Sequence, residues 1–224
     1  MAHKPQILLI SGQQGSGKTT TTNLVSELMF QAKWNYKSFK FASPLYAMHD
    51  AVRNIALEYG IPMPEKDGPL LQMLGTEWGR NHYGQNIWVE ICRKNIDSVL
   101  DIWTRNDQAQ KQQGSCAIID DCRFPNEFDG FPDAFKVRLQ CREEVRKQRT
   151  HAWRENTGHL SETALDGYDA DGKFDLYIDT EVMPQDRVAD YVFRQLSTRA
   201  LLFKEETVHG AKTVPQTGEQ ASPA

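Results

Sequence analysis

The sequence predicts an α/β fold, a parallel sheet covered by helices on both faces. Two observations carry this prediction. Short apolar runs that read as buried strands alternate with longer stretches of helical periodicity. The first of these runs also ends in a glycine-rich loop that opens a helix, and in open α/β sheets ligands bind at the carboxyl ends of the strands.

The elements follow in order. Gln6-Ile7-Leu8-Leu9-Ile10, bounded by Pro5 and Ser11-Gly12, reads as the first strand. Leu24, Val25, Leu28 and Met29 give one face of a helix from Gly17 to about Phe30. Ser38 to Phe41 reads as a second strand and about Leu45 to Tyr59 as a helix. Residues 60–69, rich in Pro and Gly, form a loop before two further helices over about 70–81 and 87–104. The polar run 106–114 is a loop or a frayed helix end, and Cys116 to Asp120 is the next buried strand. Phe135 to Leu139 is another, then a charged helical stretch from Cys141 to Glu155. Leu176 to Asp179 is the last strand and Gln185 to Phe203 the closing helix. Residues 207–224 lack apolar periodicity and are expected to be disordered.

Composition narrows the function classes. In 224 residues the net charge is −4, so no general field attracts a nucleic-acid backbone. Cys92, Cys116, Cys122 and Cys141 show neither C-x-x-C spacing nor ligand-like His spacing, which argues against a disulfide framework or a zinc site. No apolar run approaches a membrane span, and a cytoplasmic protein is expected, with no membrane or nucleic-acid partner.

The chemistry begins at SGQQGSGKTT, residues 11–20. Gly12-x-x-x-x-Gly17-Lys18-Thr19 is a full Walker A pattern. Its glycines let successive backbone N–H groups point inward at phosphates, and the helix that follows adds its positive end. Gln14, Gly15, Ser16, Gly17, Lys18, Thr19 and Thr20 are the expected nucleotide contacts, with Lys18 on the β- and γ-phosphates and the Thr19 hydroxyl on Mg²⁺. No Asn-Lys-x-Asp guanine-reading motif occurs, so ATP is expected.

Three later segments bear on the phosphate acceptor. In LLQMLGTEWGR and NIWVE, Gly75 sits amid helical periodicity, where glycine costs about 1 kcal/mol and needs a reason. Trp78 and Trp88 offer faces for a base or else belong to the core. Arg80 is an anion clamp or a surface ion pair. In AIIDDCRFPNE, an apolar strand ends in two aspartates, the setting in which a carboxylate holds Mg²⁺. Arg123 follows at the same edge. In CREEVRKQR, Arg142, Arg146 and Arg149 share one helix face, with Arg154 beyond. They form either a solvated stripe or the arms of a lid that closes over phosphates.

Taken in this order, GQQGSGKTT, LLQMLGTEWGR…NIWVE, AIIDDCRFPNE and HLSETALD…FDLYIDT resemble the deoxynucleoside monophosphate kinases of tailed bacteriophages, over roughly residues 6–200. The resemblance implies a P-loop NTPase fold with a helical substrate-binding region and a lid. It implies transfer of the ATP γ-phosphate, with Mg²⁺, to a deoxynucleoside monophosphate for phage DNA precursors. It implies one domain over residues 1–206, with the core at about 1–44, 115–141 and 174–206. The substrate-binding region then spans about 45–105 and the lid about 142–160. A homodimer and a location in the host cytoplasm belong to the same expectation.

By position, Arg80 and Arg123 become candidates for the acceptor phosphate and Asp121 for the metal. Lys18, Arg123, Arg146 and Arg149 are the expected catalytic cations, and Arg142 joins the ATP contacts. Arg53, Gln72, Trp78, Arg80, Trp88 and Arg123 are the candidate substrate contacts. The family's basic residue in the substrate helix is replaced here by Tyr46, and His159-Leu-Ser-Glu162 has no assigned role beyond a capping box. The Ser161-Glu162…Leu165-Asp166 segment also resembles animal-type phosphomevalonate kinases. Another phosphorylated small molecule is therefore an alternative acceptor, and a P-loop ATPase or nucleotide sensor is the alternative of another class.

Overall fold

The structure is a computed structural model that describes residues 5–149 and 160–210. Its centre is a five-stranded, fully parallel sheet in the order β2-β3-β1-β4-β5. The strands are β1 (Gln6–Gly12), β2 (Trp34–Phe39), β3 (Gly114–Cys122), β4 (Phe135–Gln140) and β5 (Leu176–Asp179). All five runs named from the sequence are strands, with β2 shifted toward the N-terminus and β3 longer at both ends. The side-chain period of two sorts β1 between two cores. Leu8 and Ile10 point into one with Val25, Met29, Ile118, Val188 and Val192; Leu9 points into the other with Ile119, Trp88, Ile96 and Phe128.

The first core lies under α1 (Lys18–Gln31) and α10 (Gln185–Gly210). The second lies under α4 (Ile87–Arg105) and α6 (Pro125–Asp129). The sheet is therefore covered on both faces, as the near-continuous apolar strands require. β1 lies between β3 and β4; the chain passes from β1 to the edge strand β2, returns through β3 and crosses β1 to β4 and β5. A crevice opens beyond the carboxyl end of β1.

Between β2 and β3 lies an all-helical excursion. It contains α2 (Ser43–Glu58), α3 (Gly68–Gln72), a π-helix (Met73–Tyr83), α4 and the short α5 (Asp107–Gln110). Fully buried His49 of α2 accepts from the Asp67 amide at 3.0 Å, while the Asp67 side chain caps α3 through the Leu70 amide at 2.9 Å. This link holds the Pro- and Gly-rich loop against α2. The helix expected over 70–81 is real in extent but carries i→i+5 bonds for most of its length, a form that periodicity alone does not separate from an α-helix.

After β4 come α7 (Glu143–Arg149), α8 (Leu160–Thr163) and α9 (Asp166–Ala170). Of the charged stretch expected to be helical to Glu155, only the part to Arg149 falls within the described residues. Helix α10 runs to Gly210, past position 207 where the disordered tail was expected to begin. Residues 211–224 lie outside the described residues. All four cysteines are free thiols.

Candidate nucleotide and phosphoryl-transfer site

The loop between β1 and α1 closes tightly enough that side chains are excluded at two of its glycines. A Cβ on Gly12 would lie 2.7 Å from the Leu139 carbonyl oxygen of β4, and Gly17, the N-cap of α1, has φ 94°. Helix α1 has no acidic residue in its first turn, so its positive end is left to whatever the loop binds. The Lys18 ammonium reaches back over the loop and donates to the carbonyls of Gly12 (2.5 Å) and Gln13 (2.9 Å). Burial, reinforced by the Arg123 charge, pulls its pKa down to about 8. Ser16 is buried, whereas Thr19 and Thr20 stand exposed on the first turn of α1.

At the end of β3 the two aspartates part company because neighbouring side chains in a strand face opposite ways. Asp121 points toward the helical excursion, where its oxygens accept from the amides of Phe41 (2.9 Å) and Ala42 (3.1 Å) and fix the entry into α2. Burial raises its pKa against the pull of those two amides. Asp121 as the metal ligand is thus corrected: its carboxylate is a structural acceptor on the far face. Asp120 points to the phosphate-loop side, where its charge acts on Lys18. One of its buried oxygens has no hydrogen-bond partner, Lys40 being 3.6 Å away. No cluster of three acidic, His or Cys side chains able to hold a metal exists among the described residues. Magnesium bound to nucleotide phosphates needs no such cluster, only one or two protein oxygens. The orphaned oxygen of Asp120 and the Thr19 hydroxyl fit that donor set.

Just beyond, Glu127 organises the RFPNE segment. One carboxylate oxygen accepts from the amides of Arg123 (2.8 Å) and Phe124 (3.1 Å), and the other faces Arg80 at 3.5 Å. Burial raises the Glu127 pKa to about 7 against the pull of the Arg123 amide. Arg80 also lies over the Phe124 ring, 4.7 Å from its centroid. Glu127 therefore joins the two arginines expected to meet an acceptor phosphate. Neither its burial nor this bridging was visible in the linear motif.

The three arginines of the expected lid divide between the phosphate loop and the end of β5, each on a different partner. Arg142 is exposed and pairs with Glu181 at 2.8 Å. Arg146 is buried and donates to the carbonyls of Gln14 (2.9 Å) and Cys141 (3.0 Å). Arg149 grips Thr180 through the carbonyl (2.8 Å) and the hydroxyl (3.1 Å). Arg149 also lines an open cavity of about 630 Å³ together with Gly15, Gly17, Lys18, Thr19, Thr20 and residues 180–185. Gln185 closes this cavity and its side-chain oxygen accepts from the Thr21 hydroxyl at 3.2 Å. Residues 180–185 were not singled out from the sequence, because nothing in TEVMPQ signals a ligand until β5 delivers it beside the loop. Arg154 lies outside the described residues.

In the helical excursion the tryptophans separate. Trp88 is 3% exposed, its indole N–H donates to the Gly75 carbonyl at 2.9 Å, and Gly79 packs against its ring. As a base-stacking residue Trp88 is corrected to a core residue; Gly79 is the small partner that its bulk requires, Gly75 supplies the carbonyl its N–H meets, and a Cβ on Gly75 would press on Leu45 instead. Trp78 is 43% exposed and meets Tyr83 edge-on at 4.9 Å. Gln72 bonds Thr76 at 3.1 Å on the exposed surface. Arg53 of α2 has a buried Nε without a hydrogen-bond partner.

The HLSE segment, partly outside the described residues, contributes to the same crevice. Glu162 accepts from the Gln14 amide at 2.8 Å and from the Arg123 guanidinium at 2.5 Å, while the Gln13 side chain donates to its carbonyl at 3.2 Å. Burial pushes the Glu162 pKa up, but the Gln14 amide and Arg123 outweigh it and the net shift is downward. Buried Arg138 of β4 supports the same junction, bonding Ser11 at 3.0 Å and Asp169 of α9 at 2.7 Å. An arginine inside the apolar run FKVRL was the one sequence sign of this clasp.

The parallel sheet, the glycine loop at the carboxyl end of β1 and the lysine folded over it define a P-loop nucleotide-binding protein. The chain belongs to the AAA domain family, AAA_18, whose profile matches residues 8–166. No curated protein matches it. Among solved structures it is similar to the protein TT1252 of Thermus thermophilus, with 15% identity, a TM-score of 0.49 and coverage of 86% of this chain and 98% of that one. A gluconokinase of Sinorhizobium meliloti shows 17% identity and a TM-score of 0.41 over 95% and 99% of the two chains. A shikimate kinase of Acinetobacter baumannii shows 16% and 0.39 over 87% and 94%. No described helix is long and apolar enough to cross a membrane.

Proposed function

We propose that this protein is an ATP-dependent deoxynucleoside monophosphate kinase. The reading rests on the residues around the phosphate loop. The loop amides, Lys18 and the first turn of α1 take the β- and γ-phosphates, and the cavity beside residues 180–185 takes the adenosine. Thr19 and Asp120 would hold Mg²⁺, which would supply charge neutralisation at the phosphates. Arg146 and Arg149 keep α7 against the loop on the donor side. An acceptor phosphate oxygen attacks the γ-phosphorus in line; its new O–P bond forms as the bond to the β–γ bridging oxygen breaks, and ADP leaves. Such a transfer needs positioning and charge neutralisation rather than a covalent intermediate.

The observation that carries the choice of acceptor is that Glu127 holds the Arg80 guanidinium on one oxygen and the Arg123 backbone amide on the other, while the Arg123 guanidinium reaches Glu162 beside the phosphate loop. Two arginines supplied from segments that share Glu127 suit an acceptor that is already a phosphate ester. The deoxyribose and the base rest on the sequence resemblance alone, with exposed Trp78 as the candidate stacking face. A coupled assay of ADP release tests the reading, with ATP·Mg²⁺ against the four common deoxynucleoside monophosphates, their ribose counterparts, phosphomevalonate and a control without acceptor. Turnover that depends on a deoxynucleoside monophosphate is the expected result. Turnover with phosphomevalonate alone, or release that ignores every acceptor, discards it.

A further inference from the structure

Glu162 stands where the donor and acceptor sides of the crevice meet, and the phosphate-loop chemistry described above gives it no part. Its neighbours are cations and amides: Lys18 and Arg123 both act on it electrostatically, and the Gln14 amide is hydrogen-bonded to it. The two carboxylate oxygens are divided between partners. Oε2 takes the N–H of the phosphate loop and Oε1 takes the guanidinium at the end of β3. The carbonyl of the same residue receives the Gln13 side chain, so backbone and side chain are both fixed to the loop. The next turn is anchored independently, by fully buried Leu165 in the second core and by Asp169 on Arg138. The carboxylate is thus held from a rigid support, and it half-buries a charge that a merely solvated surface pair would leave in water.

From this geometry we infer that Glu162 is the positioning residue for Arg123, tying the guanidinium to the loop that carries the γ-phosphate. The inference rests on the phosphoryl-transfer reading and deepens it. Arg123 is held at its backbone by Glu127 and at its side chain by Glu162. One carboxylate sets where the chain leaves β3, and the other sets where the guanidinium points. Charge on a transferring phosphoryl group is stabilised only by donors already in place, so a freely rotating arginine would serve it poorly.

The test is a double-mutant cycle of Glu162→Gln and Arg123→Ala, read in the transfer assay, in ATP affinity and in thermal melting. In Glu162→Gln the side-chain carbonyl oxygen would still accept from the Gln14 amide, but the new NH₂ would face Arg123 donor to donor. ATP affinity should therefore stay within about threefold while kcat falls about 100-fold, the scale of a small misplacement at a reacting centre. The double variant should be no slower than Arg123→Ala alone, within about twofold, because a tether has no value without the group it holds. Glu162→Asp, which keeps the charge on a shorter stem, should recover part of kcat; it replaces Glu162→Gln in the cycle if that variant melts early.

Effects that multiply independently overturn the inference, and so does an unchanged kcat. Tighter ATP binding with kcat intact also overturns it, by showing a carboxylate that competes with phosphate. If the wild-type protein releases ADP without regard to acceptor, the kinase reading fails, and the same cycle is read on that release. Coupling there upholds the tether and multiplicative effects discard it. A wild-type protein that releases no ADP at all overturns both.

Discussion

Lys18 illustrates how burial converts a motif residue into a titrating group. Its folded pKa of about 8 lies below the value of an unfolded lysine. The unfolded chain therefore binds more protons between about pH 8 and 10.5, and this residue's contribution to stability rises with pH across that window. Phosphates over the loop favour the ammonium and push the pKa back up. ATP binding at about pH 8.5 should accordingly take up a fraction of a proton, seen as a dependence of the calorimetric enthalpy on the ionisation enthalpy of the buffer. A binding enthalpy independent of buffer would contradict it. Trp88 makes the opposite point, since its polar handle serves the fold. Trp88→Phe leaves the Gly75 carbonyl without its donor and should cost about 1–3 kcal/mol in denaturant unfolding. Transfer by the molecules that remain folded should be unchanged; a selective loss of acceptor affinity would restore Trp88 to the substrate site.

The π-helix Met73–Tyr83 is the element whose form decides most about the acceptor side. It presents Trp78 outward and Arg80 toward Glu127, while Leu74, Gly75 and Gly79 face inward. A Cβ on Gly79 would lie 2.2 Å from the Trp88 ring and 2.8 Å from the Leu74 carbonyl. Neither neighbour can give way freely, because Trp88 is pinned by its bond to Gly75. Gly79→Ala should lower stability by about 1–3 kcal/mol through overpacking. It should also raise the acceptor KM, since Arg80 lies next in the chain. Helix propensity alone predicts the reverse, a gain of up to about 1 kcal/mol, so a stabilised variant would refute the packing. Helix α7 shows what a sequence stripe can and cannot say. Arg142 precedes α7 and stays exposed on Glu181, Arg146 is buried against the Gln14 carbonyl and Arg149 holds Thr180, a division set by where β4 and β5 end beside the P-loop.

At the scale of the whole molecule, the sheet order gathers the loops that follow its strands at one edge, and buried charges collect there. Glu127 is a carboxyl among them whose ionisation burial resists, with a pKa of about 7 against an ordinary value of 4.5. The native state then holds a proton that the unfolded chain has lost between these values. Its contribution to stability is full below about pH 4.5, falls as pH rises to about 7 and is flat above. Replacing Glu127 with Gln removes that fall. The variant should gain on the wild type by up to roughly 3 kcal/mol across this window, measured by unfolding at successive pH values. Transfer should drop, because the bridge to Arg80 is weakened. A stability difference that does not vary with pH would mean the carboxyl is not buried as described.

Much of this architecture was legible in the linear chain. The strands are short apolar runs whose burial on both faces leaves no other reading, and the glycine loop declares its phosphates because only glycine tolerates its backbone. The loop's own closure is local, with both Lys18 bonds reaching back no more than six residues. What tertiary structure decided is everything that depends on facing. Adjacent Asp120 and Asp121 differ only in which side of β3 they point to, and that side depends on what packs there. Trp78 and Trp88 are alike in sequence and opposite in burial, because Gly75 and Gly79 receive one of them. Glu127 and Glu162 acquire roles only when α6 and α8 come to rest beside the phosphate loop, across 148 residues in the case of Glu162 and Gln14. Periodicity and local chemistry are properties of the chain; partnership between distant charges exists only once the sheet has brought their elements to one edge.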